Sequence, residues 1–194
     1  MNYLAHAYLS FDEPEILVGN MISDFVKGKK QFDFAETIHK GIVLHRRIDT
    51  FTDEHEMTKQ AKEIFKPAVG LYAGAFVDVS YDHFLACDAT EFTNERLLQF
   101  SLSVYKILSN YYDVLPERFA LMFLYMKRDN WLYNYRTLNG AEKSFAGLAR
   151  RAQYLKTSGA AFDCFKNNYE GLRQYYQAFF PALKNFAYAQ LYNY

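Results

Sequence analysis

Apolar positions in this chain recur at spacings of three and four, and no stretch keeps the two-residue alternation of a half-buried strand. The pattern predicts helix almost throughout. Residues 3–10 read as a short first helix. Asp12, Glu13 and Pro14 form the start of a second, because proline suits the first turn and acids suit its dipole. That helix runs to about Val26, and Gly28 stops it. A polar stretch over about 29–34 leads to a third helix over about 36–48. A break follows at Asp49–Asp53, where Thr52 or Asp53 caps a fourth helix, with Glu56 completing a capping box. The fourth helix is expected to end before Pro67, ahead of a very apolar fifth over 69–87. Helices over about 91–112 and 116–130 come next, the latter opened by Pro116.

The last third carries a seam. Phe162, Phe165, Tyr169, Leu172, Tyr176, Phe179, Leu183 and Phe186 alternate spacings of three and four on a long aromatic-rich helix, about 159–193, kinked or divided near Pro181. One reading packs this seam on the body of the protein. The other makes it a partner surface, including one for a homodimer. Nothing resembles a linker or an internal repeat, so residues 1–194 read as a single all-α domain, a helical bundle.

Polar residues interrupt these apolar stretches in pairs one helical turn apart: Asn2/His6, Asn20/Asp24, His45/Asp49 and Asp78/Asp82. A spacing of four puts both members on one helix face. A buried carboxylate or imidazole without a partner is costly, so these groups are expected to meet each other, a metal or a wet cleft. Asp82 and His83 can border one site from adjacent directions; Asp78 could instead bridge to a neighbouring helix while His83 bonds a carbonyl. Arg46 and Arg47 are candidate phosphate clamps, since a guanidinium matches phosphate with parallel hydrogen bonds, although arginines also complement a helix C-terminus. Gly19, beside Asn20, would permit close approach of another helix.

The donor set is imidazole and carboxylate, with no thiolate. It suits Mn²⁺, Fe²⁺ or Mg²⁺, with Zn²⁺ as a further choice, and fits chemistry that activates water beside a phosphate. The candidate metal ligands are His6, Asp24, His45, Asp49, Asp78 and Asp82. The candidate catalytic groups are Asp24, His45, Asp82 and His83, with Arg46 or Arg47 on the phosphate. Walker, GxGxxG, GxSxG and HExxH motifs are absent.

Composition narrows the class. The net charge is zero, so no global field draws the chain to nucleic acid or an anionic membrane. The two cysteines, Cys87 and Cys164, fit no metal or redox spacing, and a cytoplasmic setting is expected. Neither a signal peptide nor a membrane-length apolar run is visible.

Several segments together resemble the acyl carrier protein phosphodiesterases, or ACP hydrolases. They are Met1–His6, Gly19-Asn20 with Asp24–Gly28, Gly41-Ile42 with His45–Asp49, Thr52-Asp53, and Asp78-Val79 with Asp82–Leu85. The likeness continues more loosely through Arg150-Arg151 to Phe180-Pro181. It implies an all-helical fold distantly like the HD-type metal phosphohydrolases. It also implies hydrolysis of the 4′-phosphopantetheine arm from holo-acyl carrier protein with a divalent ion, Mn²⁺ foremost, in the service of fatty acid metabolism. The products would be apo-carrier and 4′-phosphopantetheine. His45 is followed by Arg46 rather than aspartate, so Asp24, Asp49, Asp78 and Asp82 compete as metal ligands. An acidic carrier would call for a basic face, which Lys27, Lys29, Lys30, Arg46, Arg47, Arg150 and Arg151 can supply. The alternatives are an HD-like phosphohydrolase acting on a nucleotide or other small ester, and a non-enzymatic helical binding protein.

Overall fold

The computed structural model describes residues 1–152, 155 and 157–192. Position 193, at the end of the expected last helix, lies outside them. Among the described residues the secondary structure is helical, with eleven α-helices and no strand. They are α1 (Tyr3–Tyr8), α2 (Pro14–Ile22), α3 (Glu36–Glu54), α4 (Glu56–Val69), α5 (Ala73–Cys87), α6 (Asn94–Asn110), α7 (Glu117–Arg128), α8 (Trp131–Asn134), α9 (Leu138–Arg151), α10 (Gly159–Asn167) and α11 (Tyr169–Tyr192). Short 3-10 turns cover Ser23–Phe25 and Gly28–Asp33.

Three boundaries differ from expectation. The break at Asp49–Asp53 does not occur, and α3 continues to Glu54. Thr52 is buried and its hydroxyl donates back to the Ile48 carbonyl, so it extends the helix instead of capping the next one. His55 takes the capping role, its Nδ1 accepting from the Met57 N–H. Helix α4 passes through Pro67 and ends at Gly70, whose φ of 56° is left-handed. The long C-terminal helix divides at Asn168 rather than near Pro181, which lies inside α11. The segment over 131–151 forms α8 and α9, which the periodicity reading passes over; Thr137 caps α9 by accepting from Gly140.

The core is one contiguous apolar cluster with α5 near its centre. Val77, Val79, Tyr81, Phe84 and Leu85 of α5 are all buried, which explains why its sequence is apolar on every side. The aromatic seam packs inward. Tyr176 and Phe179 of α11 are buried, with Phe179 stacked on Tyr81, and Phe186 stacks on Phe51 of α3 at 4.5 Å. Most of the seam is therefore consumed within the chain.

Helices α2 and α3 cross with their backbones in contact. A Cβ on Gly19 would lie 1.9 Å from the Ile38 carbonyl oxygen, and one on Gly41 would lie 2.3 Å from that of Ile16. Both positions must be glycine for the helices to approach this closely. The crossing places Asn20, next to Gly19, beside His45, one turn beyond Gly41.

Candidate metal centre

His6 on α1, and His45 and Asp49 on α3, converge, each offering one ligand atom within 4.8 Å of the others. The imidazole rings are stacked, 3.8 Å between centroids and 13° from coplanar. His6 Nε2 lies 3.2 Å from Asp49 Oδ1, and His45 Nε2 lies 3.1 Å from Asp49 Oδ2. Asp24, in the turn after α2, approaches His45 Nε2 at 3.3 Å from the open side, its side chain 67% exposed.

Asn20 is fully buried and sets both rings. Its side-chain nitrogen donates to the His6 carbonyl at 2.8 Å, which turns its Oδ1 toward His6 Nδ1, also at 2.8 Å. An amide oxygen only accepts, so His6 Nδ1 carries the proton. The backbone carbonyl of Asn20 likewise faces His45 Nδ1 at 2.7 Å and requires a proton there. With both protons held at Nδ1, a neutral form of either ring aims an Nε2 lone pair at Asp49. His6 Nε2 is buried and finds no hydrogen-bond donor or acceptor of good geometry.

The electrostatics follow from this crowding. Burial, and next the neighbouring His45, push His6 down to about 4. Burial also acts to lower His45, but its hydrogen bonds to Asp24 and Asp49 outweigh that and raise it to about 9. Only one of two stacked imidazoles is charged, and the second carboxylate decides for His45. Burial acts to raise Asp49, yet the hydrogen bond from His45, the adjacent His6 ring and the Met1 ammonium take it far below the carboxylate range. The hydrogen bond to His45 also lowers Asp24.

Asp78 lies at the edge of this group. The Met1 ammonium sits 3.0 Å from Asp78 and 3.5 Å from Asp49. Burial acts to lower the Met1 ammonium, but Asp78 and Asp49 raise it to about 10. Asp78 itself is raised by burial, with Met1 opposing.

Asp82 and His83 do not join the cluster. Asp82 caps α1 from the side, accepting from the N–H groups of Asn2 at 3.2 Å, Leu4 at 2.7 Å and Ala5 at 3.2 Å. Burial pushes its carboxyl up to about 7, against those donors. His83 is turned away: its Nδ1 bonds the Tyr135 carbonyl at 2.7 Å and its Nε2 meets the Tyr169 hydroxyl at 2.9 Å. Adjacent positions on α5 thus serve different neighbours, as a rotation of about 100° between them dictates.

Neither arginine of the doublet reaches the imidazoles. Arg46 donates to Gln31 Oε1 at 2.7 Å and to the Val26 carbonyl at 3.1 Å, and Arg47 donates to Gln190. Arg151, at the end of α9, acts on the Tyr3 hydroxyl, which burial raises to about 12 and which also feels the Asp24 charge. The sequence reading had Arg151 only as part of a basic patch, and Asn20 only as the partner of Asp24. No periodicity could assign either role, since each depends on helices far apart in sequence.

Imidazole nitrogens and carboxylate oxygens around a buried, unpartnered Nε2 fit a divalent cation. Comparison with known proteins finds relatives along almost the whole chain. Acyl carrier protein phosphodiesterases are similar over nearly the full length: that of Yersinia enterocolitica is 29% identical over 192 residues, covering 94% of this chain and 95% of its own. The Klebsiella pneumoniae protein of that name is 30% identical, covering 96% and 97%, and the one from Enterobacter sp. is 29% identical, covering 94% and 95%. No solved structure matches. The profile described as acyl carrier protein phosphodiesterase matches residues 1–183, and the chain belongs to that family.

Proposed function

We propose that this protein is a metal-dependent phosphodiesterase that hydrolyses 4′-phosphopantetheine from holo-acyl carrier protein in the cytoplasm. The observation that carries the reading is the pair of Nε2 atoms aimed at Asp49 with their Nδ1 protons tied to Asn20. Such an arrangement suits a cation, because each imidazole in its neutral form turns an Nε2 lone pair toward the Asp49 carboxylate, and an ion there would take the place of the proton that His45 otherwise holds. His6, His45 and Asp49 would hold the ion, with Asp24 the open-side carboxylate and Asp78 close behind. Mn²⁺ is the first choice, with Mg²⁺ or Fe²⁺ as substitutes. A cation bound there lowers the pKa of water and offsets charge on the phosphoryl group.

The chain's own residues do the rest. Asp24, ionised and exposed, accepts a hydrogen bond from the attacking water and orients it. Arg151 faces the phosphate oxygens in place of Arg46 or Arg47. Water's oxygen bonds to phosphorus, the bond from phosphorus to the carrier's serine oxygen breaks, and that oxygen leaves with a proton. Apo-carrier and 4′-phosphopantetheine result. The buried His–Asp cluster on helices is also the basis for a distant likeness to HD-type phosphohydrolases. Among the described residues no helix is long and apolar enough to cross a membrane. A homodimer would use the outer face of α11, where Tyr188 and Tyr192 are exposed, rather than the buried seam.

The test is incubation with holo-carrier and Mn²⁺, read by intact mass. Loss of the arm, abolished by chelator, is the expected result. An unchanged carrier, with turnover of a nucleotide panel instead, would overturn the substrate assignment.

A further inference from the structure

Residues Gly28–Asp33 form a six-residue 3-10 segment with no buried residue. It begins four residues after Asp24. Lys29 and Lys30 are exposed on it and Lys27 is exposed just before it, and none has an ion-pair partner among the described residues. Phe32 is 66% exposed, resting one edge on His39 of α3 at 5.1 Å between centroids. An aromatic ring left in water beside three uncompensated ammonium groups is a costly local choice, with only Asp33 as a nearby acid on the segment.

The segment is nevertheless held in place. Arg46 bonds Gln31 Oε1 and the Val26 carbonyl, clamping both ends of the lysine stretch to α3. His45, the next residue on α3, is in the candidate metal centre. The strut therefore fixes the distance between the segment and the site. A fixed, basic, aromatic-tipped platform next to a phosphodiester site matches a partner with an acidic face and an apolar recess.

We infer that Gly28–Asp33 is the docking platform for the carrier protein, with Phe32 as its apolar anchor, the three lysines steering the carrier's acidic face and Arg46 positioning the platform. This deepens the function proposed above and rests on it. Charge complementarity favours a protein occupant over a lipid surface, since a six-residue 3-10 segment is too short to lay an amphipathic face on a bilayer. Steering charges act mainly on association and aromatic anchors on dissociation.

The experiment measures binding of apo-carrier to the full-length protein by calorimetry at two ionic strengths, alongside steady-state cleavage of holo-carrier. Phe32→Ala is expected to weaken apo-carrier binding and raise KM by about tenfold with kcat nearly unchanged. The triple change of Lys27, Lys29 and Lys30 to Glu is expected to weaken binding more and to remove most of its salt dependence. Arg46→Gln is expected to raise KM, as a positioning residue would, with unaltered melting of the whole protein. Unchanged apo-carrier affinity in Phe32→Ala and in the triple variant overturns the proposal. So does platform-dependent binding to anionic phospholipid vesicles without carrier binding, or a concentration-dependent dimer abolished by Phe32→Ala. Wild-type protein that binds apo-carrier through the platform but leaves holo-carrier intact would sink the proposed reaction while sustaining the docking surface.

Discussion

Two aspartates with the same sequence signal, each a turn from another polar group in an apolar helix, do opposite things. Asp49 faces two imidazoles, whereas Asp82 faces three backbone N–H groups. Their asparagine variants separate these roles. Asp49→Asn is expected to lower turnover by about two orders of magnitude or more and also to lower the melting temperature of the metal-free protein, because His45 and the Met1 ammonium lose the carboxylate they face. Asp82→Asn replaces one of its acceptor oxygens with a donor facing the start of α1, and is expected to cost roughly 2 kcal/mol of stability in urea unfolding. The pH profile of the metal-free protein belongs at this scale too. His45, raised to about 9, binds a proton in the folded state that the unfolded chain has released above its ordinary 6.5, so its stabilisation fades as pH rises from 6.5 to 9. His6, lowered to about 4, stays neutral while the unfolded chain takes up a proton, so on its own it makes stability fade as pH falls from 6.5 to 4. Thermal unfolding without metal is expected to show stability falling from pH 6.5 to 9, whereas between 4 and 6.5 the Asp82 carboxyl, raised to about 7, opposes His6 and leaves the profile nearly level; a level profile from 6.5 to 9 would contradict the His45 assignment. The His45/Asp49 pairing was legible because both residues sit on one helix. The His6/Asn20 tie was not, because it is made between α1 and α2.

At the scale of elements, glycine and proline mark fewer boundaries than the sequence suggests. Pro67 and Pro181 lie inside helices, and α3 overruns its expected stop because Thr52 bonds backward. Gly19 was read correctly as a point of close approach; that its counterpart is Gly41 could not be read without knowing the crossing. Substitutions distinguish the two kinds of glycine. Gly19→Ala and Gly41→Ala force a Cβ into a backbone oxygen and are expected to lose several kcal/mol of stability together with metal affinity. Gly147→Ala in α9, whose Cβ would meet only Arg150 Nη2 at 3.9 Å, is expected to gain about 0.5–1 kcal/mol from reduced unfolded-state entropy. Chemical denaturation of the three variants checks both halves.

For the whole molecule, a net charge of zero conceals local organisation: lysines collect at Lys27–Lys30, while Asp49, Asp78 and Asp82 are each spent on partners within the fold. Helical class and the apolar centre on α5 were legible from periodicity, since burial on all sides leaves an apolar run. Convergence of α1, α2 and α3 on one point was only suggested by the recurrence of polar pairs. An ion held as proposed would couple its binding to folding through this convergence. Mn²⁺ is expected to raise the melting temperature, and by more at pH 8 than at pH 6, because the ion must displace the proton that His45 retains up to about 9. Differential scanning calorimetry at both pH values measures it; equal shifts would mean the ion binds elsewhere.

The glycine-to-glycine crossing has a further consequence for how such a protein can change over time. It locks Asn20 and His45 like the fixed jaw of a caliper, since moving either one means parting two helices that touch at their main chains. The opposite jaw, Asp24 on a solvent-facing turn, is free to be exchanged. Diversification of ion preference among descendants of this chain is therefore channelled to that one outer carboxylate and the residues around it.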